Sequence, residues 1–480
     1  MPLLHSGGGK TGARKGFRGV LRRSVIIPPF ASKSLFIMLL GELRLRRASL
    51  FLCVLLSATL ALVSCGSSSS SNQNTTSGLK FRALVSQDVS SGTVLGAGLI
   101  IVNAEKDARA PVAPISLASF SAFFPGMMVV SDNRQITLAV SNPTNQIGIF
   151  SNSQEKSIAG VNLSGPTDSV VISTDALTGY AAVPAAPVPA GNPGGIAVFS
   201  TSNGAVTATV PIQSVRYLAR SGDTSRLLAF SDNSDTITIV PTASILPGQG
   251  QNTPLITVSG FDRPIAGFFS SDGSMAWIVN CGPECGGTEA SVQELDLIHN
   301  TPGRKAVVSA STVGFINNET MYVAGTPQAG ANDCSGVTTA ATTCGRLSIV
   351  DLPSMTVIGP GSPQNVIADG FHTQLALGPN GQLFVGSTHC TNIELPPAPA
   401  TGEQRGCLNI YDTVHNTTIN PPDNGDVTGL QPITNRTIMY VIEGGELRIY
   451  DTTTVKISVQ NNDASIDVFG NAVDVKLIDF

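Results

Sequence analysis

Charge is scarce in this chain: Asp, Glu, Lys and Arg supply 13% of 480 residues, aromatics 5%, and there is one tryptophan. No basic stripe interleaved with aromatics occurs, which argues against nucleic acid as a partner. The longest apolar run at the N-terminal side, Ala48 to Ala61, has 14 residues. At about 1.5 Å per residue it is too short to span a bilayer as a helix. No P-loop, dinucleotide fingerprint or nucleophile motif is present, and helical periodicity is nearly absent after residue 78. What remains, with 49 glycines and 30 prolines, suits many short strands joined by tight turns.

The basic residues are concentrated at one end. Residues 1–47 hold ten Lys and Arg but one acid, Glu42; taking these from 28 and 33 leaves 18 basic against 32 acidic residues, a net charge near −14. A surface that acidic repels phosphate backbones. Arg44, Arg46 and Arg47, the apolar run behind them and the small residues ending at Cys65 form a secretion signal over residues 44–64. Leu62-Val63-Ser64-Cys65 resembles the bacterial lipoprotein lipobox. The resemblance implies lipidation of Cys65 as the mature N-terminus and, with Gly66 rather than Asp next, an outer-membrane destination; an ordinary signal peptide with a coincidental cysteine is the alternative. Residues 1–43 fit no targeting element, and Met38 begins a signal peptide of ordinary length by itself. The expectation is a misassigned start at Met1, with an extended leader as the other reading. From Cys65 to Gly78 the chain is Ser-rich with nothing apolar to bury after Cys65, and reads as a flexible tether with a reach of roughly 20 Å.

From residue 79 to 480 a period-2 pattern recurs in pairs. One strand per unit covers Ile136 to Val140, Gly179 to Val183, Arg226 to Phe230, Met275 to Asn280, Thr320 to Ala324, Gln382 to Gly386 and Thr437 to Val441. A second strand follows each, several ending in an Asp (Asp296, Asp351, Asp412, Asp451) suited to accept turn amides. With the pair Phe81 to Val85 and Gly98 to Val102 this makes eight units of about 50 residues. Trp277-Ile-Val-Asn280 after Ser271-Asp272-Gly273, and the looser Tyr322-Val-Ala-Gly325, Phe384-Val-Gly-Ser387 and Tyr440-Val-Ile-Glu443, resemble YVTN-type β-propeller repeats. The resemblance implies an all-β, closed β-propeller of four-stranded antiparallel blades, eight in number, or seven if two degenerate N-terminal units share a sheet. The first unit lacks an inner strand, and Ala472 to Phe480 is an orphan with an inner-strand pattern, so the C-terminus is expected to complete blade one.

Of eight cysteines, Cys53 leaves with the signal and Cys65 takes lipid. The other six fall in three successive units, and local pairing as Cys281–Cys285, Cys334–Cys344 and Cys390–Cys407 is the economical choice among 15 connectivities. Closing the longest of these loops stabilises by about 3 kcal/mol in the chain-entropy model. Metal binding by Cys281 and Cys285, or by His389 beside Cys390, is the competing reading, but zinc sites usually need four ligands at tighter spacing. His299, His372, His389 and His415 are scattered, as turn or surface residues are. Ser270 to Trp277 approaches the Asp-box of sialidase-type propellers with its glycine one place early, and reads as a turn; Asp232-Asn-Ser-Asp235 lacks the glycine and distal Glu of a calcium loop.

No catalytic set, metal or cofactor is therefore expected. The expected function is a monomeric binding or scaffold module, held to the cell envelope by its N-terminal lipid, facing the periplasm or cell surface and meeting an envelope protein or glycan. The alternative is a lactonase- or lyase-like propeller enzyme with its site near the ring axis, where Asp168, Arg216, Arg263 and Asp426 are candidates. The single Trp277 weakens a quinoprotein reading. Convergence of His, Arg and carboxylate at the ring's mouth favours the enzyme, an apolar plug the scaffold. The wide loops Cys281 to Ala290, Pro327 to Cys344 and His389 to Cys407 are expected to share one rim.

Overall fold

A computed structural model describes residues 76–88, 98–116, 125–188, 191–328, 344–359, 366–390, 407–419, 421, 425–453, 465–468 and 470–479. The expected signal segment, Cys65 and most of the expected serine tether lie outside these residues, as does Cys334. No helix among the described residues is long and apolar enough to cross a membrane.

The strands form eight antiparallel sheets, each four strands deep from the inside outward. Blade I is built on the second strand Arg82–Asp88, blade II on Ile136–Ser141, III on Thr178–Val183, IV on Arg226–Ser231, V on Met275–Asn280, VI on Thr320–Gly325, VII on Gln382–Thr388 and VIII on Ile438–Glu443. In blades I and VI the outermost position is filled by two short pieces, Ala108–Arg109 with Ile115–Ser116 and Thr356–Ile358 with Val366–Ile367. The innermost strand of blade I is Asn471–Leu477, paired with Arg82–Asp88 in the register Ala83↔Leu477 and Asp88↔Asn471. The chain's last strand thus completes its first sheet, as the orphan pattern predicts, and the blade count is eight.

Period-2 alternation drives the ring together. Leu138 and Val140 point to blade III while Ala139 points to blade I, so each sheet buries both faces. Among the described residues an apolar cluster fills each of the eight blade–blade junctions, from I–II around to VIII–I, with a second, smaller one between VI and VII. Each inner strand touches the next, and that of blade VIII touches that of blade I. Closure also has polar ties. Buried Asp474 accepts the Met128 amide of blade II at 2.7 Å, and Arg436 of blade VIII grips Asp107 of blade I through two bonds of 2.5 and 2.7 Å.

Four of the links between first and second strands share one turn. Ser131, Ser173, Ser221 and Ser270 each bond a side-chain oxygen two residues on, in Asn133, Asp175, Asp223 and Asp272. The next residue in each, Arg134, Ala176, Thr224 or Gly273, has positive φ. The early glycine of the Asp-box-like segment therefore sits where the turn needs the left-handed conformation. The serine hydroxyls lower the pKa of Asp223 and Asp272 to about 2. Only Ser270 to Trp277 is noticeable as a motif, because elsewhere the left-handed residue is not glycine.

One strand glycine is fixed by packing. Opposite Phe199 in blade III, a Cβ on Gly179 would lie 2.2 Å from the ring. Gly179→Ala is expected to cost about 1–3 kcal/mol by overpacking, read as a lowered urea midpoint at unchanged slope.

Candidate functional site

Neighbouring strands run antiparallel, so the start of each inner strand and the link between its second and third strands lie at the same end of a blade. The loops that leave Asn280, Gly325 and Thr388 are such links in the consecutive blades V, VI and VII, and the ring places them on one rim. The Cys281–Cys285 and Cys390–Cys407 bridges are present, each with Cα atoms 5.6 Å apart. Cys344 is also disulfide-bonded. These sulfurs are not available as thiolate ligands, and no group of three or more potential metal-binding side chains occurs among the described residues.

The loops interlock. In blade V, the turn Gly282–Cys285 is followed by Thr288 and Glu289, whose amides donate to Asp262 at 3.0 and 2.8 Å. Glu284 projects toward blade VI, where its Oε2 accepts the Thr326 amide at 2.9 Å. Gln328 Nε2 donates to the Pro283 carbonyl at 2.5 Å, and Thr326 Oγ1 to the Gly370 carbonyl at the entry to blade VII at 2.9 Å. Cys344 and Cys390 pack together with Val366 and Ala368, joining blade VI to the blade VII bridge through one small apolar cluster. The His389 amide then reaches Asp426 at 2.7 Å, tying the rim to blade VIII. Outside these ties Phe371 stands 62% exposed, edge-on to His389 with ring centroids 6.2 Å apart.

Between the blade V and VI loops lies a cavity of about 260 Å³ lined by Pro283, Glu284, Ala290, Ala310, Thr326 and Pro327. Burial pushes the Glu284 carboxyl up to about 7, against the opposing effect of the Thr326 amide. Nothing in the sequence signals it, since a glutamate between two cysteines is unremarkable until the next blade closes over it.

The four axis candidates occupy three separate places. Arg216 is the extra residue of a bulge near the start of the blade IV inner strand, and comparable bulges recur in blades I, V, VII and VIII. The bulge aims its guanidinium at Asp232, through two 2.6 Å bonds, and at Asp168 at 2.5 Å. Hydrogen bonding to Asp232, more than to Asp168, raises the pKa of Arg216 despite burial. Arg263 instead pairs with Asp235 at 3.4 Å, and Asp426 faces the His389 amide. Both acids of the segment Asp232-Asn-Ser-Asp235 thus face arginines. At the opposite mouth Arg220 closes on Asp132 with bonds of 2.8 and 2.7 Å.

Of the histidines, His299 and His415 are turn residues that bond Asp296 and Asp412 at 2.7 and 2.6 Å. His389 is an exposed rim residue. His372 departs from the surface expectation: it is buried, 3.0 Å from the Ala368 carbonyl through Nε2, and desolvation lowers its pKa to about 4.

No protein-family model and no curated protein matches this sequence. Among solved structures, dihydro-heme d1 dehydrogenase NirN in complex with DHE is similar at a TM-score of 0.56 and 11% identity, over 83% of this chain and 75% of that chain. The periplasmic gluconolactonase PpgL of Pseudomonas aeruginosa gives 0.45 and 14%, over 83% and 98%. At such identities the likeness to NirN speaks to the fold alone, and that to the gluconolactonase carries no argument.

Proposed function

We propose that this protein is an exported, lipid-anchored binding module that recognises an envelope partner through the rim of blades V to VII. The observation that carries the reading is that the described ends of three successive loops are tied to neighbouring blades by the Thr326 bonds, by Gln328 and by the packing of Cys344 with Cys390, with a disulfide inside the blade V loop and another closing the blade VII loop. Segments tied in this way lose little conformational freedom on binding, which lowers the ordering cost of recognition. Around the axis, by contrast, Asp168, Arg216 and Asp232 are engaged with one another. The disulfides favour an oxidising compartment, in keeping with the signal segment.

The rim is tested by chemical cross-linking in the envelope, comparing the wild type with a double variant, Phe371→Ser with His389→Ala. Both side chains are exposed, so the variant should fold and lose most of its cross-linked partner. An unchanged set of cross-links would remove this rim as the recognition surface. The anchor is tested separately: Cys65→Ser should abolish fatty-acid labelling and release the protein in soluble exported form. Continued membrane partitioning of that variant would overturn the lipid anchor.

A further inference from the structure

Glu284 is a partly buried carboxyl without a counter-ion among the described residues. Cations of blade V are engaged elsewhere: Arg263 reaches Asp235 and the Gly286 carbonyl, and Lys305 pairs with Glu289. Its recorded bond is the Thr326 amide on Oε2. Of the residues lining the adjoining cavity, none other than Glu284 titrates: Cys281 is bridged, and the rest are Pro283, Ala290, Ser309, Ala310, Thr326, Pro327 and Gln328. A carboxylate withdrawn from water gains most from a cation placed beside it. The walls formed by Pro283, Ala290, Ala310 and Pro327 suit methylenes and would leave sugar hydroxyls without partners.

We propose that this cavity is a subsite for a primary ammonium group on an unbranched alkyl stem, the chemistry of a lysine side chain inserted by a protein partner. This deepens the reading of the rim as a binding surface and rests on it for the partner, though not for the ammonium site. The stem would lie along the proline and alanine walls while the ammonium approaches the Glu284 carboxylate, leaving the Thr326 amide bond in place. A lysine so placed would anchor the partner between blades V and VI.

The test uses the mature protein and four probes: n-butylammonium, Nα-acetyl-lysine methylamide, glucosamine and, as the uncharged control, n-butanol. Binding is read by saturation-transfer NMR and titration calorimetry. Both alkylammonium probes should bind in the millimolar range, glucosamine and butanol at least tenfold more weakly, and the affinity should rise about tenfold from pH 6 to pH 8 as Glu284 ionises. Glu284→Gln, nearly isosteric and able to keep the Thr326 bond, should weaken both probes at least tenfold, and Ala310→Met should do so by filling the cavity. Equal binding by wild type and both variants, or no binding by the wild type, would overturn the subsite. Tighter binding of glucosamine than of the lysine probe would replace the protein partner with a glycan and so overturn the proposal as stated. Cross-linked partners that persist while neither amine binds count against the subsite alone; amine binding with no cross-linked partner supports the subsite and counts against the rim reading.

Discussion

Deleting residues 471–480 is expected to abolish cooperative folding of the ring, whereas deleting residues 66–75 should leave its melting temperature unchanged. The C-terminal strand supplies Ala472, Val475 and Leu477 to the junction of blades VIII and I, and Ile478 to that of blades I and II. At about 1.5–3 kcal/mol for each large apolar side chain, their loss alone rivals the 5–15 kcal/mol by which an ordinary domain is stable. The deletion also removes Asp474 from the Met128 amide and Asp479 from Arg82, and strips the inner partner from Arg82–Asp88. An exposed inner edge would then invite intermolecular pairing. The check is thermal unfolding with sedimentation of both truncated proteins; a soluble, cooperatively melting ring without residues 471–480 would refute closure by this strand. The tether deletion is the control because it removes a stretch with nothing apolar to bury and spares Ser77, whose hydroxyl bonds Glu155 at 2.5 Å.

That closing strand was readable because burial on both faces of a sheet leaves a period-2 pattern even when little else repeats. Met275 to Asn280 matches the observed strand at both ends, and the ends of the other second strands differ by at most three residues. Asp296, Asp412 and Asp451 accept turn amides as their position at the strand end suggests. What the sequence concealed are features that depend on a neighbouring blade. The bulge that turns Arg216 toward Asp168 is visible only in the register against Arg226–Ser231. The burial of His372 comes from its place between the blade VI and VII loops, with its Cε1 2.8 Å from where a Cβ on Gly345 would sit. Glu284 owes its raised pKa to burial, against a blade VI neighbour, Thr326, that lies 42 residues away in the sequence. Cysteine spacing located the rim, because a bridge within one loop is a local property; the contacts that join three loops into one surface are not.

Glu284 and His372 should pull the stability of the protein in opposite directions with pH, and separating them is expected to expose two slopes that nearly cancel in the wild type. The Glu284 carboxyl titrates near 7 in the folded protein against an ordinary 4.5, so between those values the folded state holds a proton that the unfolded chain has released. Its contribution is present below pH 4.5 and is lost as pH rises toward 7. His372 is held neutral, titrating near 4 against an ordinary 6.5, so over that interval the unfolded chain binds the extra proton. Its contribution is present above 6.5 and is lost as pH falls toward 4. Each effect is on the order of 1–3 kcal/mol, reduced for Glu284 by its partial contact with water. From pH 4.5 to 6.5 the two oppose each other, and the wild type should be nearly flat there. Glu284→Gln removes the falling component, so this variant should gain about 1–2 kcal/mol at pH 7.5, little at pH 4.5, and show stability rising with pH. His372→Gln should show the reverse slope, falling from pH 4.5 to 7, whatever constant loss its altered packing adds. Urea midpoints at pH 4.5, 5.5, 6.5 and 7.5 decide the matter through slopes rather than offsets. Parallel profiles for the wild type and Glu284→Gln would mean that the carboxyl is solvated in the folded protein, and the cavity beside it would then lose its electrostatic reason to bind a cation.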